Sequence, residues 1–154
     1  MKFVIDTNVL IFKSRNSTIW KYIEKTYFPR GIKNNAIISF AAQAESLAFA
    51  NQQNWGTEKK LRLNQTINLL EIIHSNQKKL IDFYVNIDAF SHNRHKSLSL
   101  PKKFTARKMG KNDLWIAATA ATLQCPLITT DKDFEHLDGV FLDVIYIDVE
   151  KILN

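Results

Sequence analysis

Short apolar runs alternate along the chain with longer segments in which apolar residues recur at helical spacing. The first run is Phe3–Ile5, the second is 34–38 and a later one is Leu127–Thr129. Runs this short, bounded by polar or turn-forming residues, are typical of buried strands. Two weaker runs at 70–74 and 144–147 predict two further strands.

Helical segments follow most of these runs. Ser17 can cap a helix that Pro29 stops, and Ser39 can cap an alanine-rich helix over 40–54. The apolar face predicted for this second helix contains Phe40, Ala44, Leu47 and Ala48. Further helices are predicted at 58–69, 80–90, 113–125 and 134–137. Alternating strands and helices predict parallel βαβ units, and so an α/β fold with a three-layer α/β/α sandwich.

The length and composition favour one domain over residues 1–154. A chain of 154 residues with 45% apolar content can bury one ordinary core. Cys125 is the only cysteine, which excludes an internal disulfide and a cysteine-based zinc site. No signal peptide and no run of about 18 apolar residues is visible, so we expect a cytoplasmic protein without membrane contact.

Positive charge is concentrated in one segment of the chain, between two predicted helices. The formal net charge is +6, which favours a polyanionic partner. Residues 89–112, here called the basic connection, contain no acid and seven cations, including Arg94 and Lys96. A solvated loop would explain this, but a phosphate-binding edge is the better hypothesis. The residues predicted to contact RNA are Lys102, Lys103, Arg107, Lys108 and Lys111.

Four acids occupy positions that a parallel sheet brings to one edge. Asp6 and Asp131 follow strands, Asp113 begins a helix, and Glu45 lies on the helix after the second strand. Each has an alternative role: Asp6 and Asp131 can cap helices, and Glu45 can be an exposed charge. Asp133 competes with Asp131 as the acid beside the later strand.

Several carboxylates cannot all stay ionised at close range without a cation. Oxygen-only ligands favour Mg²⁺ or Mn²⁺ over zinc. An acidic metal site beside a basic rim is the pattern expected of a nuclease, in which a metal ion activates water and stabilises charge on phosphate oxygens.

Other carboxylate-rich α/β enzymes fit less well. A phosphatase of the haloacid dehalogenase kind would have a second aspartate where this chain has Asn8, and a response-regulator receiver would have paired acids where Asp6 stands alone. No glycine-rich GxxxxGK loop exists, so nucleotide-driven chemistry is not expected.

These motifs together resemble the PIN domain, and more narrowly the VapC-type toxins of type II toxin–antitoxin pairs. The resemblance rests on Asp-Thr-Asn at 6–8, the glutamate at 45, Asn-Asp at 112–113 leading into Ile-Ala-Ala, and Thr-Thr-Asp-Lys-Asp-Phe at 129–134. It implies a five-stranded parallel sheet, Mg²⁺- or Mn²⁺-dependent ribonuclease activity, homodimerisation and inhibition by a small antitoxin. The implied catalytic and metal-binding residues are Asp6, Glu45, Asp113 and Asp131. Their matching neighbours are Thr7, Asn8, Asn112 and Thr130.

Three functions stay open on the sequence. The leading hypothesis is an endoribonuclease toxin. The second is a PIN nuclease of RNA processing without an antitoxin, and the third is an inactive PIN-like module that binds RNA. All four acids are present, which favours an active enzyme.

Overall fold

The computed structural model describes all 154 residues and contains a five-stranded sheet in which every strand pairs in parallel. The order across the sheet is β3-β2-β1-β4-β5. The strands are β1 (Phe3–Ile5), β2 (Ala36–Ser39), β3 (Glu71–Ile73), β4 (Leu127–Thr129) and β5 (Val144–Tyr146). The predicted α/β/α sandwich with five parallel strands is confirmed.

Seven α-helices and one 3₁₀ helix accompany the strands, and all but the last connect one strand to the next. They are α1 (Thr7–Ser14), α2 (Thr18–Tyr27), α3 (Phe40–Gln52), α4 (Thr57–Leu69), α5 (Lys78–Ser91), α6 (Lys111–Leu123), the 3₁₀ helix Lys132–Leu137 and α7 (Val149–Leu153). Every residue of β1, β2 and β4 is buried, because helices cover both faces of the sheet. None of the helices is long and apolar enough to cross a membrane.

The strand order places a topological switch point beside β1. The chain leaves β1 toward β2 on one side, whereas β4 pairs with β1 on the other, with Ile5 opposite Ile128. In open parallel sheets the connections diverge at such a point and leave a crevice at the carboxyl ends of the strands. Asp6, directly after β1, lies at this crevice.

Several boundaries and one helix face differ from the sequence-based prediction. α1 is a full helix that begins at Thr7, and α7 was not predicted at all. The predicted apolar face of α3 is wrong: Ala41, Ala42, Ser46 and Ala50 are buried, whereas Leu47 is 38% exposed. Small side chains on α3 allow close packing, so residue size and not hydrophobicity decides which face is covered.

Candidate active site

Asp6 is held by hydrogen bonds from two elements and is 3% exposed. Its Oδ1 accepts a hydrogen bond from Val9 N at 2.9 Å, which caps α1. Its Oδ2 accepts a hydrogen bond from Thr129 Oγ1 at the end of the neighbouring strand β4. The capping role proposed for Asp6 from the sequence is therefore present, and it uses one carboxylate oxygen, while the other oxygen is bonded to the end of β4.

Burial raises the pKa of Asp6 to about 6 from its ordinary value of 3.8. The hydrogen bonds from Thr129, Val9 and the Thr130 backbone lower this pKa, while the charge of Asp131 raises it. Desolvation is the largest effect because an almost inaccessible carboxylate loses its hydration. Asp6 is thus a buried acid whose negative charge is destabilised near neutral pH.

Asp113 shows how the acids are grouped. It lies in the first turn of α6, is half-buried, and has a pKa raised to about 7. Burial is the first cause, followed by the charges of Glu45, Asp131, Asp6 and Asp133. Because such repulsion acts over short distances, all four predicted acids share one neighbourhood. We call Asp6, Glu45, Asp113 and Asp131 the acidic pocket.

Glu45 is joined to this pocket by a neighbouring amide. Asn112 Nδ2 donates a hydrogen bond to Glu45 Oε2 at 2.6 Å. The bond links α3 to the residue that precedes Asp113, and it holds Glu45, for which the sequence left open the alternative of an exposed charge. Asn112 thus orients the carboxylate of Glu45.

Asp131 and Asp133 differ in their relation to the pocket. Asp131 Oδ1 accepts a hydrogen bond from Asp133 N at 2.8 Å and so caps the 3₁₀ helix. Its charge raises the pKa of both Asp6 and Asp113, whereas Asp133 affects only Asp113 and is the last of the causes there. The side chain of Asp133 is 65% exposed and pairs with Arg107 Nη1 at 3.3 Å. This arrangement favours Asp131 as the fourth acid.

Two residues of the site were not predicted from the sequence. Thr129 donates to Asp6 and also accepts a hydrogen bond from Asp131 N at 2.9 Å, so it connects two acids. Gly110, which precedes α6, leaves space for Asp113: a Cβ atom at this position would lie 3.1 Å from Asp113 Oδ2. Thr129 opens the Thr-Thr-Asp-Lys-Asp-Phe motif, but its contact with Asp6 could have been indicated only by the register of β1 against β4, in which it follows the pair Ile5–Ile128.

The other predicted neighbours have varied surroundings. Thr7 is buried and its Oγ1 has no hydrogen-bond partner, whereas the side chain of Asn8 is exposed. Among the predicted RNA contacts, Arg107 is half-buried and the four lysines are exposed without ion pairs. Arg107 is therefore the cation of this set that is tied to the rim of the acidic pocket.

Two features of the pocket fit a hard divalent cation. All the donors are carboxylate oxygens, and a cation would relieve the repulsion that adds to burial in raising the pKa of Asp113. As the side chains stand, no three acidic, histidine or cysteine groups enclose a common ion position. The candidate ligands are Asp6, Glu45, Asp113 and Asp131.

Known proteins share this fold. A VapBC2 structure from Rickettsia felis bound to a promoter DNA fragment aligns with a TM-score of 0.70 at 18% identity, over 96% of this chain and 100% of that one. VapBC-5 from Mycobacterium tuberculosis aligns with a TM-score of 0.62 at 21% identity, over 95% and 98% of the two chains. At these identities the likeness concerns the fold.

The family is shown by a match over most of the chain. The sequence profile of the PIN domain matches residues 3–140, so the chain belongs to the PIN domain family. A curated relative, ribonuclease VapC5 from Mycobacterium tuberculosis, is 54% identical over 35 residues. That alignment spans 23% of this chain and 26% of the relative's length.

Proposed function

We propose that the chain is a Mg²⁺- or Mn²⁺-dependent endoribonuclease that acts in the cytoplasm as the toxin of a toxin–antitoxin pair. The observation that carries this proposal is the crowding of acids in the acidic pocket, where burial and the charges of four other acids raise the pKa of Asp113 to about 7. Membership of the PIN domain family supports a nuclease, and the relative named ribonuclease VapC5 supports RNA as the substrate.

The acidic pocket would hold the cation through Asp6, Glu45, Asp113 and Asp131. When bound, Mg²⁺ or Mn²⁺ would supply a lower pKa for an attacking water and positive charge for the phosphate oxygens. The chain itself orients the ligands: Thr129 holds Asp6, and Asn112 holds Glu45 at 2.6 Å. Such outer partners fix ligand geometry and are costly to remove.

Proton binding and cation binding should compete in this pocket. Because the pKa of Asp113 is about 7, this carboxyl is about half protonated at neutral pH without a cation. Cation binding then displaces a proton, so cation affinity should rise with pH between about 6 and 8.

The basic connection supplies the RNA-binding part of the proposal. Four lysines are exposed and form no ion pair, which leaves their charges available for contacts with a phosphate backbone. Such contacts hold RNA of any sequence, so they support binding and not base selection. The members of this set are Lys102, Lys103, Lys108 and Lys111.

We also propose a small antitoxin and a second copy of the chain as partners. The support is that VapBC-5 from Mycobacterium tuberculosis is described as a member of the VapBC family of toxin–antitoxin systems, and that a toxin–antitoxin complex from Klebsiella pneumoniae aligns over 94% of this chain with a TM-score of 0.63. Co-expression with the product of a small adjacent reading frame tests the antitoxin, because that product should co-purify and suppress cleavage. Cleavage that the product does not suppress would favour a PIN nuclease of RNA processing.

The direct test is cleavage of a labelled single-stranded RNA by the purified chain with Mn²⁺. We expect cleavage by the wild type, loss of cleavage with chelator, and loss in Asp6→Asn and Asp113→Asn. Asp82→Asn is the matched control, because Asp82 is an exposed acid without an ion pair. RNA binding without cleavage in the wild type would instead support an inactive PIN-like RNA-binding module.

A further inference from the structure

A mostly buried aromatic and polar cluster forms where the 3₁₀ helix that Asp131 caps meets the end of α5 and the basic connection. We call Phe90, Ser91, Phe104 and His136 the His136 cluster. His136 is 1% exposed. Its ring stacks on Phe90 with centroids 6.2 Å apart and planes 5° apart, and it meets the edge of Phe104 at the same centroid distance.

One hydrogen bond orients the imidazole. Ser91 Oγ donates to Ile87 O at 2.9 Å, so its only proton is used there. His136 Nε2 lies 2.7 Å from the same Ser91 Oγ and forms the second bond. Burial and the charge of Arg107 lower the pKa of His136 to about 4, which keeps the ring neutral at physiological pH.

Stability alone does not explain a histidine at this position. Its Nδ1 is buried and makes no hydrogen bond of good geometry, with only the Asp133 backbone near the ring, and a poorly satisfied buried polar atom costs free energy. A phenylalanine would keep the stack on Phe90 without this cost. What the histidine adds is the directional bond to the Ser91 hydroxyl, which ties the last residue of α5 to the 3₁₀ helix. The backbone carbonyl of the same residue accepts the hydrogen bond from Arg107 N.

The part of the basic connection around Arg107 is fixed at this cluster. Residues 94–110 form no helix or strand, so specific contacts must offset the entropy lost when they are ordered. Arg107 N donates to Ser91 O at 2.8 Å, and Phe104 packs on His136. Lys103 Nζ lies 5.0 Å from the centre of the Phe104 ring. These contacts bring the Arg107 guanidinium to Asp133, two residues from Asp131.

We propose that His136 is a positioning residue: through Ser91 it fixes the segment of the basic connection that presents Arg107 to RNA at the rim of the acidic pocket. This inference rests on the proposed ribonuclease function. It adds that RNA affinity depends on a buried imidazole that does not touch RNA. The residue that makes the contact is Arg107, and Ser91 is the link between the two.

Two mild variants remove the link without emptying the core. Ser91→Ala removes the hydroxyl, and His136→Phe keeps the aromatic stack but not the hydrogen bond. Both variants keep the Ser91 carbonyl that accepts from Arg107 N, and both release the end of α5, which positions this carbonyl, from the 3₁₀ helix. His92→Phe is the matched control, because His92 lies at the same end of α5 but is bonded only to Asp88 of its own helix. Binding is measured with a fluorescent single-stranded RNA in chelator, and steady-state cleavage is measured separately with Mn²⁺.

Both variants should raise the Kd for RNA by about five-fold. This is the effect expected when one charge-assisted interaction, that of Arg107 with an RNA phosphate, is no longer held in a fixed geometry. KM should rise similarly and kcat should stay within about two-fold. The double variant Ser91→Ala/His136→Phe should bind no more weakly than either single variant, since both remove one link. In an Arg107→Ala background, Ser91→Ala should have no further effect on Kd.

Amide hydrogen exchange gives a readout without RNA. The Arg107 amide should exchange faster in Ser91→Ala and His136→Phe than in the wild type and His92→Phe. The inference is overturned by unchanged Kd and exchange in both variants, by a loss confined to kcat, or by an equal loss of affinity in the Arg107→Ala background. A wild type that neither binds nor cleaves RNA would overturn the proposed function, and with it the role of His136 in RNA binding.

Discussion

Asp6→Asn should abolish cleavage and yet stabilise the cation-free protein at pH 8. Asp6 is 3% exposed and its pKa rises from 3.8 to about 6 on folding, chiefly because of burial. The native state therefore binds the proton more tightly than the unfolded state, so stability is lost as pH rises from about 4 through about 6. Asparagine has no charge to desolvate, and it caps a helix about as well as aspartate.

The size of the effect follows from the pKa change. The rise from 3.8 to about 6 corresponds to a penalty of about 3 kcal/mol at pH 8, which falls to about 1 kcal/mol at pH 4.5. The variant should lose about 1 kcal/mol because Thr129 can no longer donate to a carboxylate. The net gain is about 2 kcal/mol at pH 8 and close to zero at pH 4.5. A chain of this size should then melt roughly 4–8 °C higher at pH 8.

Thermal melts of the wild type and Asp6→Asn in chelator, at pH 4.5 and pH 8, measure this difference. Adding Mn²⁺ at pH 8 should raise the melting temperature of the wild type more than that of the variant, because only the wild type keeps all four acids. A variant that melts below the wild type at pH 8, or a difference that does not depend on pH, would show that Asp6 carries no buried charge penalty.

Three further predictions concern the rest of the site. Gly110→Ala should lower cleavage, because the added Cβ would lie 3.1 Å from Asp113 Oδ2. Gly56→Ala is the control: Gly56 lies at the start of α4 with open space around it, so cleavage should not change. Equal activity of the two variants would contradict this prediction. Asp131→Asn should keep the melting temperature but lose most Mn²⁺-dependent cleavage, while Asp133→Asn should lose little of either; the reverse ranking would identify Asp133 as the fourth acid. The last variant neutralises four cations of the basic connection: Lys102, Lys103, Arg107 and Lys108. This variant should bind RNA of every sequence more weakly. The slope of log affinity against log salt concentration should become shallower by about 0.7 for each phosphate that is no longer neutralised. An unchanged slope would show that the basic connection is only a solvated loop.

The sheet could be predicted because the residues that mark each strand lie within the strand itself. β1 and β4 are short apolar runs buried along their whole length, and Ser17 and Ser39 cap α2 and α3 as capping rules predict. α7 escaped prediction because it is only a short turn of helix at Val149–Leu153 and buries none of its residues. Hydrophobic periodicity has little to detect in such an element.

The acids were predictable as a set because each has a fixed relation to a strand end or a helix start. Their partners were not predictable, because those hydrogen bonds join distant parts of the chain. Thr129 meets Asp6 across 123 positions, and Asn112 meets Glu45 across 67. His136 was overlooked for the same reason, since its partner Ser91 lies 45 positions earlier.

The measurement that tests the central claim most directly is inducible expression of the chain in cells, followed by sequencing of new RNA ends, with Asp6→Asn as the control. The wild type should generate new ends at a limited set of positions, and the variant, which is expected to fold, should generate none. The same new ends in both samples, or no new ends from a well-expressed wild type, would contradict the assignment of the acidic pocket as the centre of a metal-dependent ribonuclease.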